Sequence, residues 1–212
     1  MAAKGHKPSR VSAPSTRITL LTRLKSAGDA AAWQAFVDLY MPLVYRYCRQ
    51  RGLQDADAAD VTQQVQANVH RAIEAFEYDP LRGRFRDWLG TIALRELIRQ
   101  QHKDRRPGKG QGAGQGEWFA ARQEGPVDAA WLEEFNAHIF TAALARVRGE
   151  FDEPTWQAFD WTWLRDVKPQ LAAERLDKPI TWIYKARFRV LKRLRSEIEF
   201  LTNDAAPLHK PA

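Results

Sequence analysis

The chain has 212 residues, 44% of them hydrophobic, enough to fold as one domain or as two small ones with modest cores. Its 33 Lys and Arg against 26 Asp and Glu leave a formal charge of +7, which suits a polyanionic partner without requiring one. The single cysteine, Cys48, excludes an internal disulfide and a multi-cysteine zinc site and fits a reducing compartment; no apolar run reaches the roughly 20 residues that a membrane helix needs.

Residues 1–16 carry Lys4, Lys7 and Arg10 with no apolar stretch behind them, so they read as a disordered basic arm rather than a signal peptide. Arg17 to Leu24 predicts a short amphipathic helix, and Asp29 is placed to cap the next one. There Trp33, Phe36, Val37, Tyr40, Val44 and Tyr47 share a face, with Pro42 expected to kink or divide the helix. Cys48 reads as a small buried hydrophobe. Beyond Gly52, Asp55 or Asp57 is expected to cap a long helix with Val61, Val65, Val69, Ala72, Ile73 and Phe76 inward. Asp60, Gln63, Gln64, Asn68 and Arg71 then face out. The triplet Asp55, Asp57 and Asp60 fits a helix start better than a metal site, because carboxylates there offset the macrodipole. His70 and Glu74 stand one turn apart, but no second His or Cys completes a ligand set, and surface pairing explains them.

Residues 76–85 form a turn-rich loop around Asp79, Pro80 and Gly83, with Arg82, Arg84 and Arg86 clustered in and beside it. The following helix turns Phe85, Trp88, Leu89, Ile92, Ala93 and Leu97 inward and carries Arg95, Arg99, Lys103, Arg105 and Arg106 on its other faces. Few acids stand nearby; Asp87, Glu96 and Asp104 are the candidates to balance them. Residues 107–126 are rich in Gly and Gln and read as a flexible linker between domains at 17–106 and 127–200. The GKG within them follows no strand and precedes no Ser or Thr, so it is not a nucleotide loop.

After the linker, Asp128 is placed to cap a helix with Trp131, Leu132, Phe135, Ile139, Ala142 and Val147 inward. Asp152, Glu153 and Pro154 start another, whose apolar side is Trp156, Phe159, Trp163 and Leu164. Val167 to Arg195 then reads as helix, tight turn, helix. Leu171, Ala172 and Leu176 share the inner face of the first helix. Asp177, Lys178 and Pro179 make the turn, and Ile180, Ile183, Val190, Leu191 and Leu194 pack the second helix down. Thr181, Trp182, Tyr184, Lys185, Phe188 and Arg189 are left facing outward. Lys192, Arg193 and Arg195 lie toward the end of this helix, where cations offset the macrodipole with no ligand at all. A basic, aromatic helix presented by a helix-turn-helix suits the DNA major groove. Residues 201–212 read as a disordered tail.

With these stretches in order, DADAADVTQQVQANVHRAI from Asp55, FRDWLGTIALRELIRQQHKDRR from Phe85 and ITWIYKARFRVLKRLR from Ile180, the chain resembles a bacterial sigma factor of the sigma-70 family, extracytoplasmic-function group. The resemblance implies an all-α fold of two helical domains, regions 2 and 4, joined by the linker. It implies polymerase binding at Asp57, Asp60, Gln63, Gln64 and Arg71. The minus-10 element would be handled by Tyr78, Arg82, Arg84, Arg86, Arg95, Arg99 and Lys103, and the minus-35 element read by Thr181, Trp182, Tyr184, Lys185, Phe188, Arg189 and Lys192. The implied partners are core RNA polymerase, promoter DNA and, as is common in the family, an anti-sigma protein. The protein would be a cytoplasmic monomer when free, without membrane insertion, cofactor, metal or enzymatic activity. The chain departs from the family's usual pattern at Gln64, Gln66, Leu94 and Arg95, and carries large aromatics at Trp182 and Phe188 where small residues are common. The alternatives are a stand-alone helix-turn-helix regulator that acts without polymerase, and a protein-interaction module with Trp182 and Phe188 as anchors.

Overall fold

A computed structural model describes residues 19–25, 28–76, 84–104 and 128–202. The predicted arm (1–16), the loop residues Tyr78 and Arg82, the linker (107–126) and nearly all of the tail lie outside the described residues. Within them every regular element is helical, as the periodicity requires: α1 (Leu20–Leu24), α2 (Ala30–Gln50), α3 (Asp55–Ala72), α4 (Phe85–Asp104), α5 (Ala129–Arg148), α6 (Glu153–Phe159), a π-helical turn (Asp160–Leu164), α7 (Pro169–Leu176) and α8 (Ile180–Thr202).

Local chemistry sets most of the boundaries. Asp29 caps α2, its Oδ1 accepting from the Ala32 N–H at 2.9 Å, and Arg23 grips the same carboxylate at 2.9 and 3.0 Å, joining α1 to α2. Asp128 caps α5 through the Ala130 N–H at 3.0 Å. Its other oxygen accepts from the Tyr47 hydroxyl at 3.1 Å and pairs with Arg51, so the start of α5 is tied to the end of α2. The expected cap of α3 is different. Gln54 occupies the cap position without a side-chain bond and Asp55 and Asp57 fall in the first turn, where Asp55 accepts from the Tyr45 hydroxyl and both carboxylates still meet the positive end of the helix.

Pro42 does not divide α2, which runs unbroken from Ala30 to Gln50; the ring is exposed and the buried side chains on either side hold the helix in place. That helix is buried on more than one face, with Leu39, Met41 and Leu43 joining Phe36, Tyr40, Val44 and Tyr47 in the core. It packs on α1, α3 and α5, while α5 packs on α4 and α8, and α8 on α6 and α7. One apolar cluster therefore runs from Leu20 and Leu21 through Tyr40, Phe85 and Trp131 to Leu194 and Leu201. Tyr40 sits near its middle, ringed by Phe36, Phe85 and Phe135 at centroid distances of 4.9 to 5.9 Å, and its hydroxyl donates to the Leu201 carbonyl at 2.7 Å. The π-helical turn brings Trp163 onto Phe159, stacked at 5.6 Å, and against Phe140 of α5 at 5.6 Å.

Two close contacts hold α5 on the first helices. Gly90, buried in α4, lies under the Trp131 indole, whose Nε1 is 2.5 Å from where a Cβ would stand; that indole N–H donates to the Arg86 carbonyl at 2.9 Å. His138 of α5 places Nδ1 2.9 Å from the Arg46 guanidinium and Nε2 against the Leu39 carbonyl. The guanidinium can only donate, so Nδ1 accepts and Nε2–H donates: the neutral ring fits and the protonated ring does not. Burial first, with Arg46 adding to it, holds this imidazole below its ordinary 6.5.

Gly90→Ala should destabilise the fold by about 1–3 kcal/mol, the cost of overpacking beside a large buried ring, read as a lower urea midpoint with an unchanged slope. For His138, the unfolded chain takes up the proton more readily than the folded one, so stability is complete above about pH 6.5 and falls as pH drops toward the folded value. Thermal melts from about pH 7.5 to about pH 5.5 should show a declining midpoint, and His138→Gln should flatten part of that decline; an unchanged slope would remove His138 as its source.

Candidate nucleic-acid interface

The helix-turn-helix is built as its sequence requires. Pro169 opens α7, where its missing N–H has no helical partner to lose. Asp177 ends it in the left-handed region, φ 50° and ψ 51°, with the Lys178 N–H bonded back to the Ala173 carbonyl at 3.0 Å and the Asp177 N–H to Glu174 at 3.3 Å. This is the six-to-one and five-to-two pair of a Schellman ending, carried by Asp, one of the few residues besides Gly that adopts the conformation readily. Pro179 then offers its carbonyl to the N–H groups of Trp182 and Ile183 at 2.8 and 3.3 Å, and α8 begins.

Small side chains let α6, α7 and α8 approach. Ala158, Ala172, Ile183 and Ala186 form their own buried cluster, flanked by Trp161, Ala173, Leu176 and Trp182. Two expectations change here. Leu171 does not share the inner face of α7 but is 44% exposed, and Ala172 and Leu176 carry that packing. Trp182 is not turned outward but half-buried against the small cluster, because the alanines around it leave room that a large ring fills.

The rest of the predicted outer face of α8 is presented. Thr181, Tyr184, Lys185, Phe188, Arg189 and Lys192 are exposed, and Arg189 makes one hydrogen bond of 3.4 Å to the buried Thr155 hydroxyl. The helix continues to Thr202, so Lys192, Arg193 and Arg195 lie in its middle and not at its negative end. Arg193 is turned away from the outer face: its guanidinium holds Glu150 at 2.6 and 2.7 Å and Glu197 at 2.9 Å. Glu150 foremost, and Glu197 with it, push its pKa above the usual arginine range. Glu197 is only 2% exposed and has a second cation, Arg146 of α5, at 3.5 Å.

On α3, Asp60, Gln63, Gln64 and Arg71 are exposed and Asp57 is half-buried. Positions 57, 60, 64 and 71 fall on one stripe of the helix, and Gln63 stands beside it. Asp57 accepts from the Gln100 amide at 2.8 Å. Asn68, expected among the outward residues, is instead half-buried and donates to Glu96 of α4 at 2.7 Å, while Arg71 donates to Asn68. Glu96 is 3% exposed and also meets Arg99 at 3.5 Å, so this acid joins α3 to α4 from inside. Periodicity hides such a residue, because a polar side chain in an apolar row looks like an interruption.

On α4, Arg95, Arg99 and Lys103 fall on one stripe at four-residue intervals. Arg99 and Lys103 are exposed and Arg95 is half-buried. Arg84 and Arg86 are not brought to that stripe. Arg84 lies at the helix start, its N–H held by the Asp87 carboxylate at 3.1 Å. Arg86, its side chain 18% exposed, faces α5 and donates to Asn136 at 3.3 Å. Tyr78 and Arg82 fall outside the described residues. Cys48 is fully buried, and burial pushes its thiol up to about 12, which suits packing and not nucleophilic chemistry.

Comparison with protein families matches residues 36–106 to sigma-70 region 2. No curated protein matches the chain. Among solved structures, the RsbN–BldN complex contains a chain with 20% sequence identity, matched over 82% of this chain and 96% of that one at a TM-score of 0.34. The family match takes in most of α2 and all of α3 and α4, the helices that carry the Asp57 to Arg71 and Arg95 to Lys103 stripes. The segment 36–106, about a third of the chain, is thus similar to a sigma-70 region 2.

Proposed function

We propose that this chain is a sigma factor of the extracytoplasmic-function group, which gives core RNA polymerase its promoter specificity and helps open the duplex without making or breaking a covalent bond. The observation that carries the reading is the presence, in one chain with a segment similar to sigma-70 region 2, of a helix-turn-helix whose second helix exposes Lys185, Arg189 and Lys192. Residues 17–106 and 127–200 act as the two functional domains, with 107–126 between them.

The outer stripe of α3, Asp57 to Arg71, docks on polymerase. Arg95, Arg99 and Lys103 on α4 meet the phosphates of the minus-10 region, and residues 78–84 take up an unstacked base, an event that needs a pocket with cations beside it. Arg86 joins them only when the contact between α4 and α5 loosens. The exposed face of α8 enters the major groove at the minus-35 element, where its cations neutralise phosphates. The protein works in the cytoplasm, free as a monomer and nucleoid-associated when bound to polymerase, and an anti-sigma protein covers one or both faces when it is held inactive.

Gel filtration with bacterial core RNA polymerase, followed by run-off transcription from pooled genomic fragments, tests this directly. Co-elution with discrete new transcripts is the expected result. No co-elution, together with sequence-selective binding by a free dimer on paired half-sites, would replace the proposal with a stand-alone regulator. In the active complex, Lys185→Ala or Arg189→Ala should cost about 1–3 kcal/mol of promoter binding where the residue reads a base, and a uniform loss on all sequences where it meets phosphate. Arg193→Ala should behave differently: it takes one cation from the buried Glu197 and should lower the unfolding free energy by about 1–3 kcal/mol, with promoter selectivity unchanged.

A further inference from the structure

Tyr184 and Phe188 stand four residues apart on α8, so their rings share one ridge about 6 Å apart along the helix axis. They are 44% and 62% exposed, and neither belongs to the buried clusters. The Arg187 guanidinium lies over the Tyr184 ring at 5.3 Å, which steadies that ring without covering Phe188. Two adjoining aromatic rings left in water are unfavourable for the free protein, and the helix around them is one-signed. From Ile180 to Arg195 the sequence carries six cations and no acid, with Lys185, Arg189 and Lys192 exposed beside the rings. The occupant of this ridge must therefore supply apolar groups at its centre and negative charge along its rim.

Duplex DNA meets both conditions in the major groove: the phosphates form the rim, and the apolar group on the floor is the 5-methyl of thymine. Phenylalanine has no hydrogen-bonding group, so it can tell base pairs apart in the groove only by such a contact. We propose that Phe188, with Tyr184 beside it, sets the base preference of this protein by packing on thymine methyl groups about two base-pair steps apart. The inference rests on the reading of α8 as the major-groove helix, and it assigns the specificity of that helix to its aromatic ridge while its cations supply affinity.

The test uses the full chain with core RNA polymerase and a duplex selected by that complex from a random pool. Each thymine under α8 is replaced in turn by deoxyuridine, which pairs identically and lacks only the methyl. One or two positions should lose about fourfold in affinity, the worth of one buried methyl. Phe188→Ala should show a comparable loss on the thymine duplex and little further response to deoxyuridine at its position, the non-additivity expected of a direct contact. Lys185→Ala should keep the full response. Equal affinity for thymine and deoxyuridine at every position overturns the methyl contact and leaves major-groove binding standing. Weaker core polymerase binding by Phe188→Ala in the absence of DNA, with methyl sensitivity retained, overturns it in favour of a protein anchor. Failure of the complex to select any sequence overturns the major-groove reading and this proposal together.

Discussion

The Tyr40 hydroxyl, buried near the middle of the core, has one partner, the Leu201 carbonyl at 2.7 Å. A buried phenol without a partner is costly, and so is a buried carbonyl. Each group removes the other's penalty, and the bond fixes the end of α8 against the middle of α2. Leu194, Ile198 and Leu201 then complete the same apolar cluster that Leu20 and Leu21 enter from α1. The helix that presents the basic face is thus anchored at its far end in the core that α1 and α2 help to build.

The cations of α8 are sorted by the face of the helix they stand on. Toward the N-terminal end, Lys185, Arg189 and Lys192 reach solvent, above a small core of alanines that holds α6 and α7 close. On the flank nearer the core, Arg193 turns inward to Glu150 and Glu197. A buried carboxylate such as Glu197 is tolerated only with its charge met, so Arg193 and Arg146 are committed to the fold. The same sorting recurs on α4, where Glu96 engages Asn68 and Arg99 at the α3 interface and Arg86 faces α5, while Lys103 remains exposed. Net charge overstates the number of cations available to a ligand on both helices.

Aromatic side chains divide in a comparable way. Trp131 presses on Gly90, Trp163 and Phe159 stack across the π-helical turn, and Trp182 fills space left by alanines; all four serve packing. Tyr184 and Phe188 differ because the neighbouring inward positions of α8 are already occupied by Ile183 and Ala186, and helical geometry leaves the next residues no core to enter. Their exposure follows from register, and the chemistry of the face they share with Lys185 and Arg189 follows from the sequence.

Hydrophobic period and cap chemistry were sufficient to determine the helical fold, the caps at Asp29 and Asp128, the turn at Asp177 to Pro179 and most of the outer face of α8, because each depends on residues within a few positions of one another. The inward rows Val61, Val65, Val69 and Ile183, Val190, Leu194 are legible for the same reason. Tertiary structure alone decided that Pro42 leaves α2 unbroken, that Asn68 and Glu96 meet across two helices, that Arg86 and Arg193 turn to acceptors on other helices, and that α8 continues to the Leu201 contact with Tyr40. These outcomes depend on partners 28 to 161 residues away in sequence for the hydrogen bonds concerned, and on burial by neighbouring helices in the case of Pro42. A local pattern specifies which side of a helix is apolar; which polar groups that side must satisfy is set only when the other helices arrive.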